Sequence, residues 1–171
     1  MCSDRVVISE TIVKDIPKMY SISRYLSPSG DNNLDLVSRT LVRLRGSNII
    51  IGLDTNAHST TWGSPITNAE GEAIEVFMTQ QNLKLLNVHT NVTTFCSSKG
   101  SSNIDVALTK GQIMHRVHNW LVEDGWTLSD HRVITFNINS QITHAEHAPF
   151  NQPGYETRLR SYDNFNNNNL K

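Results

Sequence analysis

Three short polar clusters in the sequence place carboxylate, amide and imidazole groups at the ends of predicted strands, where rigid backbone holds a reacting group still. The first cluster contains Asp54 and Asn56, the second contains Asp105, and the third contains Asp130 and His131. Side chains two residues apart on an extended chain point to the same side, so the first pair is suited to activating a water and binding a phosphate oxygen. Taken alone, the same pair could equally be a turn, because Asp and Asn are common turn formers at strand exits.

The second and third clusters predict a site assembled from separate segments. Asp105 interrupts a strand-like apolar run, where a buried charge needs a partner, although an edge-strand carboxylate facing water is the alternative. Ser129, Asp130 and His131 are consecutive, so they cannot face one another as a hydrolase triad. Asp130 can instead bind a hard cation, while His131 points the other way and can bond a separate carboxylate that determines its tautomer. Asp105 is the candidate for that carboxylate.

The elements that position these clusters follow from the spacing of apolar residues. β-Branched residues and polar alternation predict a hairpin of two strands at residues 5–13 and 18–26. A helix follows, because Leu34, Val37, Leu41 and Leu44 recur at helical spacing. Residues 48–53 are a continuous apolar run typical of a strand buried on both faces, and Asp54 comes directly after it.

A polar loop around Trp62 follows at residues 58–68, and a second helix is predicted from about Gly71. Short strands are then predicted near residues 83–88, 93–96, 104–109, 116–122 and 132–138, with turns such as residues 99–102 between them. This order favours an α/β fold with mixed sheets over a purely parallel doubly wound fold. We expect one domain over residues 1–140 and a disordered or linker tail over residues 141–171, which is rich in Asn.

Composition narrows the classes of function. A chain of 171 residues that is 37% hydrophobic can bury one ordinary core. The net charge of −1 supplies no overall field to attract nucleic acid, so DNA binding would need a local basic face or a bound cation. No apolar run approaches the roughly 20 residues needed to cross a bilayer, and no secretory signal is recognisable, which predicts an intracellular protein. Cys2 and Cys96 form no CxxC pair and are expected to be free thiols.

The three clusters, in this order and at these separations, resemble the endonuclease/exonuclease/phosphatase superfamily, which includes apurinic/apyrimidinic endonucleases and pancreatic deoxyribonuclease. The resemblance covers about residues 5–139. Asp54-Thr-Asn56-Ala-His-Ser followed by Trp62-Gly-Ser, then Gly-Ser-Ser-Asn-Ile-Asp105 and Ser-Asp-His131, are most similar to the endonuclease domain of insect non-LTR retrotransposons. The resemblance implies a four-layer α/β sandwich that hydrolyses DNA phosphodiesters with Mg2+ or Mn2+ to nick target DNA.

The resemblance also implies a role for each motif residue. Asp54 would help to activate the attacking water, and Asn56 would orient that water or bind the scissile phosphate. His131 would contact the phosphate or transfer a proton, with Asp105 as its partner, and Asp130 would lie on the metal side.

Two further residues and one missing motif follow from the same resemblance. Tyr25 matches the tyrosine that family members place near the phosphate, and the loop that carries Trp62 lies near the DNA-binding side in the family. Family members also have a strand ending in Asn and a strand ending in Gln-Glu, whose glutamate is the principal metal ligand. This sequence contains neither, so we expect the C-terminal part of the domain, without its N-terminal strands and with a weak metal site.

Related proteins continue into a reverse transcriptase domain and act on chromosomal DNA, which implies DNA as a partner, a nuclear site of action and no membrane association. One alternative is a catalytically inactive remnant that at most binds nucleic acid or protein. Another is a phosphatase of the same superfamily that acts on a phosphoinositide or another small phosphoester. The Trp-Gly-Ser loop and the Asn-Ile-Asp motif favour the retrotransposon branch.

Overall fold

The computed structural model describes residues 6–28 and 34–140. Strands β1 (Val6–Thr11) and β2 (Met19–Tyr25) form the antiparallel hairpin that the sequence predicts. Helix α1 (Asp35–Arg43) then connects β2 to strand β3 (Asn48–Asp54), which lies parallel to β2. This crossover places the carboxyl ends of β2 and β3 at the same edge of the sheet, so Tyr25 pairs with Asp54.

The second half of the described chain completes the sheet and adds two hairpins. Helix α2 (Ala69–Gln81) leads into strand β4 (Lys84–Leu85), and strands β5 (Phe95–Ser97) and β6 (Gly100–Ser102) form a small hairpin. Strand β7 (Asp105–Lys110) lies between β3 and β4 and is antiparallel to both, which gives a five-stranded sheet in the order β1-β2-β3-β7-β4. Strands β8 (Val117–Glu123) and β9 (Val133–Ile138) form the last hairpin.

The core lies on both faces of this sheet because β3 and β7 alternate apolar side chains between the two faces. Ile51, Leu53, Val106 and Leu108 face the helices and belong to the main core cluster. On the other face, Ile50 and Ala107 pack towards the β8–β9 hairpin. The described residues thus form three layers, helices, five-stranded sheet and hairpin, and the α/β class is confirmed. Within these residues no helix combines the length and apolar character that crossing a membrane requires.

Several predicted boundaries differ from the structure, among them those of β4, α2 and β6. Strand β4 covers two of the six residues predicted. Beyond it, the Asn87 side chain takes the place of backbone pairing with β7, because it donates to the Asp105 carbonyl (2.9 Å) and accepts from the Ala107 amide (2.7 Å). Helix α2 begins at Ala69 because Asn68 Oδ1 accepts from the Gly71 amide at 2.9 Å. The predicted turn at residues 99–102 forms strand β6 over its last three residues.

Two predictions fall partly or wholly outside the described residues. The tail at residues 141–171 lies outside them, as does Cys2. Cys96 is a free, exposed thiol.

Candidate active site

Two carboxylates face each other where β3 ends and β7 begins. The antiparallel register pairs Asp54 directly with Asp105. Because neighbouring residues on a strand point to opposite faces, the burial of Leu53 and Val106 among the helices turns both carboxylates to the other face, towards the β8–β9 hairpin. Directly opposed side chains on antiparallel strands have Cβ atoms about 5 Å apart, so the two acids share one small volume.

The imidazole of His131 lies between these carboxylates. A backbone bridge from His131 to Phe95 holds the segment just before β9 next to β5. His131 Nδ1 is 3.0 Å and 3.2 Å from the two carboxylate oxygens of Asp105, and Nε2 is 3.6 Å from Asp54 Oδ2. A carboxylate can only accept, so the bond assigns the proton to Nδ1 and turns Nε2 towards Asp54. The structure therefore brings Asp54, Asp105 and His131 together as the sequence predicts.

The two acids are harder to ionise than ordinary surface carboxylates. Burial raises the pKa of Asp54 first, and the neighbouring Asp105 charge raises it further, while His131 and the Asn56 backbone N–H act in the opposite direction. Burial also raises the pKa of Asp105, against hydrogen bonds from Thr94 and His131 that lower it. Among the described residues, the buried Asp54 Oδ1 has no hydrogen-bond partner. Asp54 is thus a half-buried carboxylate with one acceptor atom that no described residue satisfies.

These three residues form a candidate metal site. One ligand atom from each of Asp54, Asp105 and His131 lies within 4.8 Å of the others. Two adjacent carboxylates and an unpaired Asp54 oxygen suit a hard divalent cation, which compensates negative charge and satisfies the free acceptor. Asp130 is not part of this group within the described residues. Its side chain is exposed and its carbonyl accepts from the Cys96 amide at 2.8 Å, so the role of Asp130 on the metal side stays a prediction.

Asn56 and Tyr25 lie near the acids in different ways. The chain leaves the extended conformation after Asp54, and Asn56 has φ of +47°, so the premise that the two side chains share one side of a strand is wrong. The Asn56 side chain donates to the Leu26 carbonyl at 2.9 Å, and its role at a phosphate stays a prediction. Tyr25 is 45% exposed and lines an open cavity of about 490 Å³ together with Asp54 and Asp105.

Trp62 is buried rather than presented to a ligand. Its side chain is 4% exposed and packs in the main core, so the prediction of DNA contact by this ring is not supported by the fold. The loop around it is tied to helix α2, because Ser59 and Thr61 donate hydroxyl hydrogen bonds to Glu75. A sequence pattern cannot distinguish such a core tryptophan from an exposed one on a polar loop.

Three residues that surround the site were not singled out by the sequence. The Phe95 ring contacts His131 edge to face, with centroids 5.0 Å apart. Arg132 lines the cavity and donates to Asp124 Oδ1 at 2.9 Å and to the Thr93 carbonyl at 2.8 Å. Thr94 is buried and bonds both Asp105 and the Arg132 backbone. Aromatic and threonine residues are ordinary in strands, so only their contacts mark them.

Comparison with known proteins agrees with this geometry. Residues 19–135 match the model of a family described as endonuclease-reverse transcriptase. The chain is 36% identical over 95 residues to a putative 115 kDa protein in the type-1 retrotransposable element R1DM of Drosophila melanogaster, covering 50% of this chain and 9% of that protein. It is 25% identical over 168 residues to a retrovirus-related Pol polyprotein from the type-1 retrotransposable element R1 of Bradysia coprophila, covering 92% of this chain and 17% of that protein.

A solved structure shares the fold. The endonuclease domain of TRAS1, a telomere-specific non-LTR retrotransposon, superposes with a TM-score of 0.71 at 26% identity. The match covers 78% of this chain and 63% of that one, so the chain spans less than two thirds of each of these relatives. The family match includes β2, β3, β7 and His131, which are the elements that build the site. This chain therefore belongs to the endonuclease-reverse transcriptase family, as the three motifs suggest.

Proposed function

We propose that this chain contributes the active site of a DNA endonuclease that hydrolyses phosphodiester bonds and nicks its target with Mg2+ or Mn2+. The observation that carries the proposal is the convergence of Asp54, Asp105 and His131 from three separate segments into one cluster, whose two carboxylates line a cavity, in a member of this family. A phosphodiester needs a proton acceptor for the attacking water and positive charge near the phosphate. The cluster contains a carboxylate that can accept the proton and a candidate cation site that can supply the positive charge.

Asp54 is the residue best placed to accept the proton of the attacking water. Its carboxylate lines the cavity at the end of β3, where a water bound beside the phosphate would meet it. It lies at the end of a buried strand, so its position is maintained by the β3–β7 ladder rather than by a flexible loop.

His131 is the residue best placed to contact the phosphate. Asp105 holds Nδ1 and so orients the ring, which leaves Nε2 as the atom that can face a phosphate oxygen or pass a proton. Phe95 contacts the ring from the side and restricts its rotation. Asp105 is then the partner that determines the tautomer of His131, as in other Asp–His pairs.

The carboxylates of Asp54 and Asp105 would hold the divalent cation, since oxygen ligands suit Mg2+ and Mn2+. When bound, this cation supplies positive charge that stabilises the developing oxyanion on the phosphate. Tyr25 lines the same cavity and is placed to bond a phosphate oxygen through its hydroxyl.

A plasmid-nicking assay tests the proposal directly. Supercoiled plasmid is incubated with the purified chain and Mg2+ or Mn2+, and conversion to open circles is compared with that by His131→Ala and by His115→Ala. His115 is an exposed histidine outside the cluster, so its removal controls for loss of an imidazole. We expect His131→Ala to nick roughly 10²- to 10⁴-fold more slowly, as for loss of a positioned acid or base. Equal nicking by His131→Ala, or none by the unmodified chain, would refute the proposal, and the second result would favour an inactive remnant.

We further propose that the intact protein carries a reverse transcriptase domain, takes chromosomal DNA as its substrate and acts in the nucleus. The R1 Pol polyprotein and the TRAS1 endonuclease domain support this proposal through their similarity to the chain. Expression of the intact protein with a fluorescent tag tests the location, and exclusion of the tag from nuclei would contradict it.

A further inference from the structure

We propose that Thr94 is a positioning residue that holds Asp105 and His131 at their working separation. The inference rests on the proposed endonuclease function, because it concerns the same pair. Thr94 does not line the cavity, and its effect would act through Asp105, which does, and through His131, which contacts the Asp105 carboxylate. The residue is 1% exposed and lies immediately before β5.

The Thr94 hydroxyl is committed entirely to the Asp105 segment. Its oxygen accepts from the backbone amides of Ile104 (3.1 Å) and Asp105 (3.0 Å). The same hydroxyl lowers the pKa of the Asp105 carboxyl, against the effect of burial. A hydroxyl oxygen has two lone pairs to accept with, so both acceptor sites of Thr94 serve this segment. The backbone at Asp105 is therefore fixed by one buried atom.

The Thr94 backbone is committed to the His131 segment. Its carbonyl accepts from the amide of Arg132 at 2.7 Å, directly after His131. The amide of Cys96, two residues after Thr94, donates at 2.8 Å to the carbonyl of Asp130, which is the residue directly before His131. The Thr94 amide donates to Asn103 Oδ1 at 3.1 Å, which connects Thr94 to the segment just before β7.

One buried residue thus connects two segments that the main sheet does not pair with each other. Asp105 belongs to the five-stranded sheet, whereas His131 precedes the separate β8–β9 hairpin. The Nδ1–carboxylate bond of 3.0 Å has to form across that boundary. Without the hydroxyl, the Ile104 and Asp105 amides lose their acceptor, so the segment that carries Asp105 is no longer held against the segment that binds the backbone on both sides of His131.

Two substitutions at Thr94 and one control elsewhere separate positioning from stability. Thr94→Val keeps the shape and removes the hydroxyl, while Thr94→Ser keeps the hydroxyl. Thr109→Val is the matched control, because Thr109 is also 1% exposed, lies on β7 and donates its hydroxyl to the Ile49 carbonyl at 3.0 Å. Thermal unfolding of all three chains measures the general cost of removing a buried hydroxyl.

Nicking kinetics measure the specific effect. We expect Thr94→Val to lower kcat by about 10- to 100-fold with KM changed by less than about 2-fold, since misplaced groups act on the chemical step. Thr94→Ser should recover kcat to within about 3-fold of the unmodified chain, and Thr109→Val should leave it unchanged. Equal kcat for Thr94→Val and Thr109→Val would overturn the proposal.

A measurement without catalysis keeps this inference separate from the proposed function. The downfield proton resonance of His131 Nδ1–H reports its bond to Asp105, and its absence in His131→Ala assigns it. We expect this resonance in the unmodified chain, in Thr94→Ser and in Thr109→Val, and its loss or upfield shift in Thr94→Val. An unchanged resonance in Thr94→Val would overturn the positioning role, whereas an inactive chain with the expected resonances would refute only the endonuclease function.

Discussion

Replacing Asp54 with Asn should make the protein more stable while abolishing the proposed nicking activity. The two carboxylates are directly opposed across β3 and β7, and like charges in that position are destabilising. Both pKa values are raised in the folded protein, so the folded state binds more protons than the unfolded one over the range between the ordinary and raised pKa values. Stability therefore falls as pH rises through that range and stays lower above it.

The size of the effect follows from the register. Two unit charges about 5 Å apart repel by roughly 3 kcal/mol at an effective dielectric constant of about 20. The side chains remain 20% and 17% exposed, and solvent and His131 both screen the repulsion, so we expect a net gain of about 1 to 2 kcal/mol. For a chain of this length that gain corresponds to a Tm higher by roughly 3 to 6 °C.

Thermal unfolding of metal-free protein at neutral and acidic pH measures this gain. The difference between Asp54→Asn and the unmodified chain should be largest near neutral pH and should shrink in acid, where Asp54 is protonated in both states and no longer repels Asp105. Asp130→Asn is the control, because the exposed Asp130 has no opposed carboxylate in the cluster and should give no gain. A lower Tm for Asp54→Asn at neutral pH, or a gain that does not depend on pH, would refute the reasoning.

Two further predictions concern the loop and helix behind the site. The Asn68 side chain caps α2 and also accepts from the His58 amide at 3.0 Å, and Asn68→Ala removes both hydrogen bonds. The free energy of unfolding measured with urea should therefore fall by about 1 to 2 kcal/mol. An unchanged unfolding midpoint would contradict the capping role. Gly71→Ala should lower the free energy of unfolding by about 3 kcal/mol or more, because the new Cβ would lie 1.9 Å from the His58 carbonyl oxygen. Gly52→Ala is the control: its Cβ would meet no atom within 4 Å, so this variant should unfold at an unchanged or higher urea concentration. Equal effects of the two glycine substitutions would contradict the close contact.

The pairing of Asp105 with His131 shows how far the sequence alone leads. An acid inside an apolar run needs a partner, and a histidine after a turn can supply one, so their residue types predicted a contact that the structure has at 3.0 Å. All the strands except β6, the two helices and the α/β class also followed from apolar spacing, because burial of one face requires that spacing. Resemblance to a known family added the expected roles.

Asn56 shows where the same reasoning fails, and Asp130 is a residue whose orientation the sequence leaves open. An extended chain would have placed Asn56 beside Asp54, but the left-handed conformation at Asn56 turns its amide to the Leu26 carbonyl. Asp130 has the right residue type for a metal ligand, and its side chain is exposed and outside the cluster of described residues, so its role stays a prediction. Local sequence does not encode these orientations, because backbone conformation at a loop depends on contacts with distant segments.

The sequence by itself determined which residue types stand at the strand ends and which family the chain resembles, because both depend on local order along the chain. The tertiary structure alone decided that Asp54 lies opposite Asp105 on the face towards His131. A register shift of one residue between β3 and β7 would change which side chains are opposed, since side chains alternate between faces. That register results from burying Ile51, Leu53, Val106 and Leu108 together against the helices, and the packing of the apolar face thereby positions the polar site.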